Sequence, residues 1–177
     1  MIAALALLVA QEAQVRVLEM VEDSDFVVVN AYVKAPKMTE REAAAWQVLG
    51  RVLLMGTTEM SGLTVLEYGS QAGLPPTIEV MPDFMRLEIV LPKSGLAVAG
   101  DLVFSILTHP ALREDDIARV IEGLKSEEVP PWVEAMSGID FRYDRLRQGD
   151  VRNVWTRAMR PENLNIVVGG GIEPGAG

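Results

Sequence analysis

Apolar and polar positions alternate with period two over residues 15–21, Val-Arg-Val-Leu-Glu-Met-Val, which reads as a strand. Residues 26–33 read as a second strand, rich in β-branched side chains and fully apolar in its first half. Glu22-Asp23-Ser24-Asp25 between them is turn chemistry, so the two strands are expected to form an antiparallel hairpin. The period then changes to that of a helix. Thr39 and Glu42 make a capping box, and the run from Ala43-Ala44-Ala45-Trp46 to Met55 is apolar around most of its circumference. That predicts a largely buried helix, stopped by Gly56. A second helix is expected from Thr58 to about Gly69.

Pro75-Pro76 opens a short strand, Thr77, Ile78, Glu79, Val80 and Met81. Pro82-Asp83 turns the chain, and residues 84–91 return with Met85, Leu87, Ile89 and Leu91 on one face. Ser94 is expected to cap a helix reaching about Thr108. Another helix starts near Arg113, carries Ile117, Val120, Ile121 and Leu124 as an apolar stripe, and ends at Pro130-Pro131. Its first turn holds Glu114, Asp115 and Asp116, where the helix dipole favours them. Residues 132–146 fit no element cleanly. Residues 150–159 repeat the helical spacing with Val151, Val154, Trp155 and Ala158, and Pro161 ends them. Residues 164–168 are a last strand, and Gly169-Gly170-Gly171 with Gly175 and Gly177 read as a loose tail. Hairpins alternating with helix pairs predict an α+β fold, a mostly antiparallel sheet with helices on one face.

The chain has 177 residues, 49% of them apolar, enough for one domain with a sizeable core; that domain is placed at residues 15–169 and the tail at residues 170–177. The net charge of −9 argues against nucleic acid and against an anionic membrane surface as partners. No stretch is long enough to span a bilayer. Residues 1–13 hold a nine-residue apolar run, Ile2 to Ala10, with small residues near its end. The run resembles the core of an export signal but lacks a basic start. It therefore reads as a clipped signal, and the alternatives are a buried first strand or a frayed apolar end. A signal would send the protein to the periplasm or the outside; without one it is cytoplasmic.

With no cysteine, thiol chemistry, disulfides and Cys-based zinc sites are excluded. With one histidine, His109, so is any site that needs two imidazoles. His109 follows a predicted helix end, where a cation has a structural use. No Gly-x-Ser-x-Gly elbow is present, and the Asp23-Ser24-Asp25 string lacks the glycine and distal glutamate of a calcium loop. Trp46, Trp132 and Trp155 fall on apolar or helical faces and read as core.

The order of elements, with several local strings, resembles the pitrilysin/insulinase-type zinc peptidases, the group that includes mitochondrial processing peptidase. The strings are the strand-then-helix stretch ending in Gly56-Thr57, the helix Asp150-Val-Arg-Asn-Val-Trp155, the turn Arg160-Pro-Glu-Asn-Leu164, and Val167-Val168-Gly169. In that family an inverted His-x-x-Glu-His motif lies on the helix before a Gly-Thr pair. By the resemblance those positions are Gln47, Gly50 and Arg51 here, with the downstream ligand near Glu127. Glutamine is a poor zinc ligand, arginine is none, and glycine offers no general base. The resemblance therefore implies no zinc, no cofactor and no peptidase activity. Glu127 reads as a solvated helix end; as a sharper alternative, an Arg51–Glu127 ion pair replaces the metal as a tie between helices, with Arg41 as an exposed arginine for comparison.

Working family members join homologous domains that clasp a peptide. The resemblance thus implies a non-catalytic subunit or binding module that pairs with an active peptidase chain or with itself. It also implies that residues 77–81 form an edge along which an extended peptide adds. An enzyme of unrelated chemistry on the same scaffold, or a truncated gene product without function, are the alternatives.

Overall fold

The computed structural model describes residues 14–19, 24–126 and 143–171, with side chains from residue 24 onward. The apolar run at residues 2–10, Glu127, Pro130-Pro131, Trp132 and the last six residues lie outside them.

Five strands form one sheet: β1 (Gln14–Glu19), β2 (Phe26–Lys34), β3 (Thr77–Val80), β4 (Phe84–Pro92) and β5 (Leu164–Gly170). Their order is β1-β5-β2-β4-β3. The four strands from β5 to β3 are mutually antiparallel, and β1 joins β5 in parallel. This corrects the expected hairpin of β1 with β2. The two do run in opposite directions, but the last strand enters between them, so Val15 faces Ile166 and Val29 faces Val168. The β3–β4 hairpin forms as expected, around Pro82-Asp83.

Alternation then decides which face is filled. Val27, Val29, Ala31 and Val33 of β2, Met85, Leu87, Ile89 and Leu91 of β4, and Ile166 and Val168 of β5 are all buried. The helices cover that one face. They are α1 (Glu40–Leu53), α2 (Gly62–Gly69), α3 (Leu96–Thr108), α4 (Glu114–Ser126) and α5 (Gln148–Ala158). α1 lies centrally, packed on α5, α4 and β3, while α3 sits against β4 and β2. Its buried set, Ala43 to Trp46, Val48, Leu49, Val52 and Leu53, spreads around the helix as the sequence predicts.

Local rules hold at most ends. The Thr39–Glu42 capping box is formed in both directions, with Thr39 N–H donating to Glu42 Oε2 at 2.9 Å. α2 begins four residues later than expected, because residues 57–60 close a tight turn first and Ser61 then caps the helix, its Oγ accepting from Thr64 N–H at 3.1 Å. Ser94 does not cap α3. It lies inside a 3-10 turn, Lys93–Gly95, and the helix starts from Gly95 with no side-chain cap.

The triple glycine is not loose. β5 runs on to Gly170, whose φ is +114°, and a Cβ at Gly170 or Gly171 would collide with the carbonyl of Phe26 or of Ser24. Bare backbone is what lets the strand end lie so close to the start of β2. Among the described residues no helix is long and apolar enough to cross a membrane.

Candidate functional site

The helix that carries the motif positions meets the edge strand at Gly50. The helix backbone approaches β3 so closely that a Cβ on Gly50 would overlap Cγ2 of Val80, with Met85 Cε at 3.3 Å and Ile78 Cγ2 at 3.4 Å. One turn earlier Trp46, 1% exposed, donates its indole N–H to the carbonyl of Met81 at 2.9 Å. α1 therefore holds β3 twice, once by a hydrogen bond at the strand end and once by direct contact of glycine backbone with Val80.

Gln47, Gly50 and Arg51 stand at the positions that the resemblance gives to the zinc motif. Gln47 is half-buried and Arg51 is exposed on the same helix. The ligand positions thus offer a neutral amide and a permanent cation, and the space beside position 50 is taken up by Val80 and Ile78. The side chains do not fit a metal ion at these positions. Among the described residues no group of three or more carboxylates or imidazoles stands together elsewhere. Glu127 lies outside the described residues, so its pairing with Arg51 is not among the described contacts.

Thr77 to Val80 form the expected edge strand, last in the sheet order, and Met81 begins the turn. Ile78 and Val80 face the core, half-buried; Thr77 and Glu79 are exposed, and Glu79 pairs with Arg86 at 3.0 Å. Met81 N–H donates to Phe84. By the alternation of an antiparallel pair, the backbone N–H groups of Ile78 and Val80 then point away from β4.

The Gly56-Thr57 pair has a structural explanation. Thr57 is 1% exposed, and its Oγ1 accepts from Met60 N–H at 2.9 Å, while Gly56 carbonyl accepts from Ala111 and Thr58 N–H donates to the His109 carbonyl. The pair thereby ties the end of α1 to the end of α3. His109 stays exposed, edge-on to Phe104 and hydrogen bonded to Thr108 Oγ1 at 2.7 Å. The Arg-Pro-Glu-Asn turn is explained too: Asn163 Nδ2 donates to the carbonyls of Arg157 and Ala158 at 3.2 Å, closing the C-terminal end of α5.

Sequence reasoning missed a paired clamp between α1 and α5. Arg41 donates to Asp150 at 2.7 Å and to the Arg145 carbonyl at 3.1 Å; next to it, Glu42 pairs with Arg157, which also reaches the Lys37 carbonyl. Arg41 is exposed, as expected, but its ion pair with Asp150 makes it unsuitable as an unpaired comparison. Glu42 is held below the usual carboxylate range chiefly by the Thr39 N–H, against some burial, with help from the Thr39 hydroxyl and Arg157. At Asp150 burial pushes the other way, but Arg41, the Arg147 N–H and both arginine charges outweigh it and lower the pKa. Beside this clamp opens a cavity of about 540 Å³ lined, among the described residues, by Arg41, Asp144, Arg145, Leu146 and Arg147.

No family model matches the chain, and no curated protein matches its sequence. Solved structures do match its fold. The periplasmic protease PqqL from Escherichia coli superposes with a TM-score of 0.75 at 14% identity, over 90% of this chain and 21% of that one. The first half of the same protease matches with the same score and identity, over 40% of its length. The chain thus spans about a fifth of the protease, and the likeness is one of fold.

Proposed function

We propose that this chain is a non-catalytic homologue of the insulinase-type peptidases, a binding module that works by pairing with a homologous domain, either of an active peptidase or of a second copy. The observation that carries the reading is Gly50 against Val80. In place of a general base the helix has bare backbone, and in place of room for one it has a valine. Gln47 and Arg51 supply no zinc ligation beside it. The fold shared with a protease over a fifth of that protein's length supports a role as one part of a larger assembly.

The accompanying peptide contact is the β3 edge, where Ile78 and Val80 offer two backbone donors, flanked by Pro75, Pro76 and Pro82, which offer none. Such an edge binds a short extended segment weakly. Export to the periplasm is part of the proposal, supported by the signal-like run at residues 2–10 and by the location of the protease with the matching fold.

The test is purification from the native host, with identification of the chains that come with it and an assay for chelator-sensitive cleavage of unstructured peptides. A homologous partner and no intrinsic cleavage are expected. Cleavage that tracks the purified chain itself overturns the reading.

A further inference from the structure

Charge is segregated along this chain in a way the fold makes spatial. Residues 52–85 contain no lysine or arginine, yet carry Glu59, Glu67, Glu79 and Asp83. Residues 145–160, by contrast, hold five arginines and one carboxylate, Asp150, in a protein of net charge −9. The first stretch includes α2, a helix that is poorly covered: Leu63 is 67% exposed, Leu66 40%, and Leu74, just beyond the helix, 55%. Leu63, Leu66 and Glu67 stand at i, i+3 and i+4, so they share one helix face. That face is apolar with an acidic flank. The second stretch, with Arg41 and Asp144, lines the cavity at the start of α5, where three arginines and one carboxylate surround Leu146; Arg41 is paired there with Asp150, and Arg145 lies 4.0 Å from Asp144. At about 540 Å³ it has room for several side chains.

The two surfaces match in kind: leucines and a carboxylate on one, a leucine among three arginines and the single carboxylate Asp144 on the other. They do not meet within one chain, because α2 packs on α3 and β4 while α5 packs on α1. We propose that they meet between chains, the Leu63–Leu66–Glu67 face of one copy seating in the Arg145–Leu146–Arg147 cavity of the next. The occupant of each surface is a second copy of this chain. The contact is head to tail, so it builds a ring or an open row of copies in place of a two-fold dimer. The inference rests on the pairing reading above and gives its self-association arm two named surfaces.

Sedimentation velocity on the full chain over rising concentration tests it, in low salt and in about 0.5 M salt, where screening falls to roughly 4 Å. The expected result is association that weakens with salt. Glu67→Arg and Arg145→Glu should each weaken it at least roughly tenfold, and Leu63→Ser should do so without changing the charge. All three positions are exposed, and the clamp uses the carbonyl of Arg145, not its side chain, so the variants should melt like the parent. Mixing Glu67→Arg with Arg145→Glu should restore association, since each reversed surface then meets its complement. A chain monomeric at every concentration and salt overturns the contact, as does association that the single variants leave unchanged. In the second case self-pairing survives without these surfaces; a homologue found by co-purification would leave the pairing reading standing in either.

Discussion

The backbone of Gly50 and the side chain of Val80 share a space that admits no third group, so helix α1 and edge strand β3 touch with nothing between them. Glycine within a helix costs about 0.5–1 kcal/mol relative to alanine. Gly50→Ala would therefore stabilise an ordinary helix. Here the added methyl collides with Val80, and overpacking of this kind costs ~1–3 kcal/mol. Net destabilisation is expected in urea unfolding. Val80→Ala removes the colliding Cγ2, so in the double variant the alanine at position 50 should become neutral or favourable. A double-mutant cycle with no coupling would show that the helix simply shifts to make room.

Zinc is the second measurement. After dialysis the protein should hold no stoichiometric zinc, because Gln47, Gly50 and Arg51 supply neither ligand nor base. Installing the motif as Gln47→His, Gly50→Glu and Arg51→His should still give a poor site, with lower stability than the parent, since Glu must displace Val80. Elemental analysis and thermal melts decide both. About one zinc per parent chain at sub-micromolar affinity would sink the idea.

How far the sequence foretold all this depended on the reach of each signal. The Thr39–Glu42 box involves neighbours three residues apart, and the alternation in β4 is visible within its own residues; both are as expected. The pairing of β1 was not readable, because its partner lies some 150 residues downstream and the intervening turn looked like a hairpin. Ser94 misled because a serine before a helix is an N-cap only if the backbone there is extended, and Lys93–Gly95 was already turning. At the site, the sequence supplied the identity of Gly50 but not its neighbour. Val80 is thirty residues away, and only the fold brings it against the helix. The Arg41–Asp150 and Glu42–Arg157 pairs were hidden for the same reason.

Arg51 and Glu127 remain a matter for mutagenesis. If they tie two helices, Arg51→Ala should cost ~3–5 kcal/mol should the pair be buried and ~0–1 if it is exposed. Arg41 cannot serve as the comparison, since it bonds Asp150 and Arg145. Arg152, exposed on α5, is the better one. Arg51 is itself exposed, so the smaller figure is expected, with Glu127→Ala costing no more. A large loss in either variant would mean that the pair is buried in the folded protein.

The α1–α5 clamp predicts an acid limb. Glu42 and Asp150 both have pKa values lowered by folding, so the unfolded chain binds their protons more readily. Their stabilisation is complete above the ordinary carboxyl values, 4.5 and 3.8, and is lost as pH falls through the lower folded values. Stability should therefore fall on acidification below about pH 4.5. Glu42→Gln and Asp150→Asn should each flatten part of that slope. An unchanged slope in the double variant would assign the acid sensitivity to other carboxylates.

The position of β5 between β1 and β2 has a consequence for a chain leaving the ribosome. β1 emerges well before β5, residues 164–170, which is its bonded neighbour among the described residues. β2, β4 and β3 can assemble among themselves, but the far side of the sheet waits for residues 164–170. Long-range closure of this kind is slow and leaves an open strand meanwhile. A break anywhere between residues 93 and 163 would remove two strands from the sheet at once, the last by deletion and the first by loss of its only bonded neighbour among the described residues.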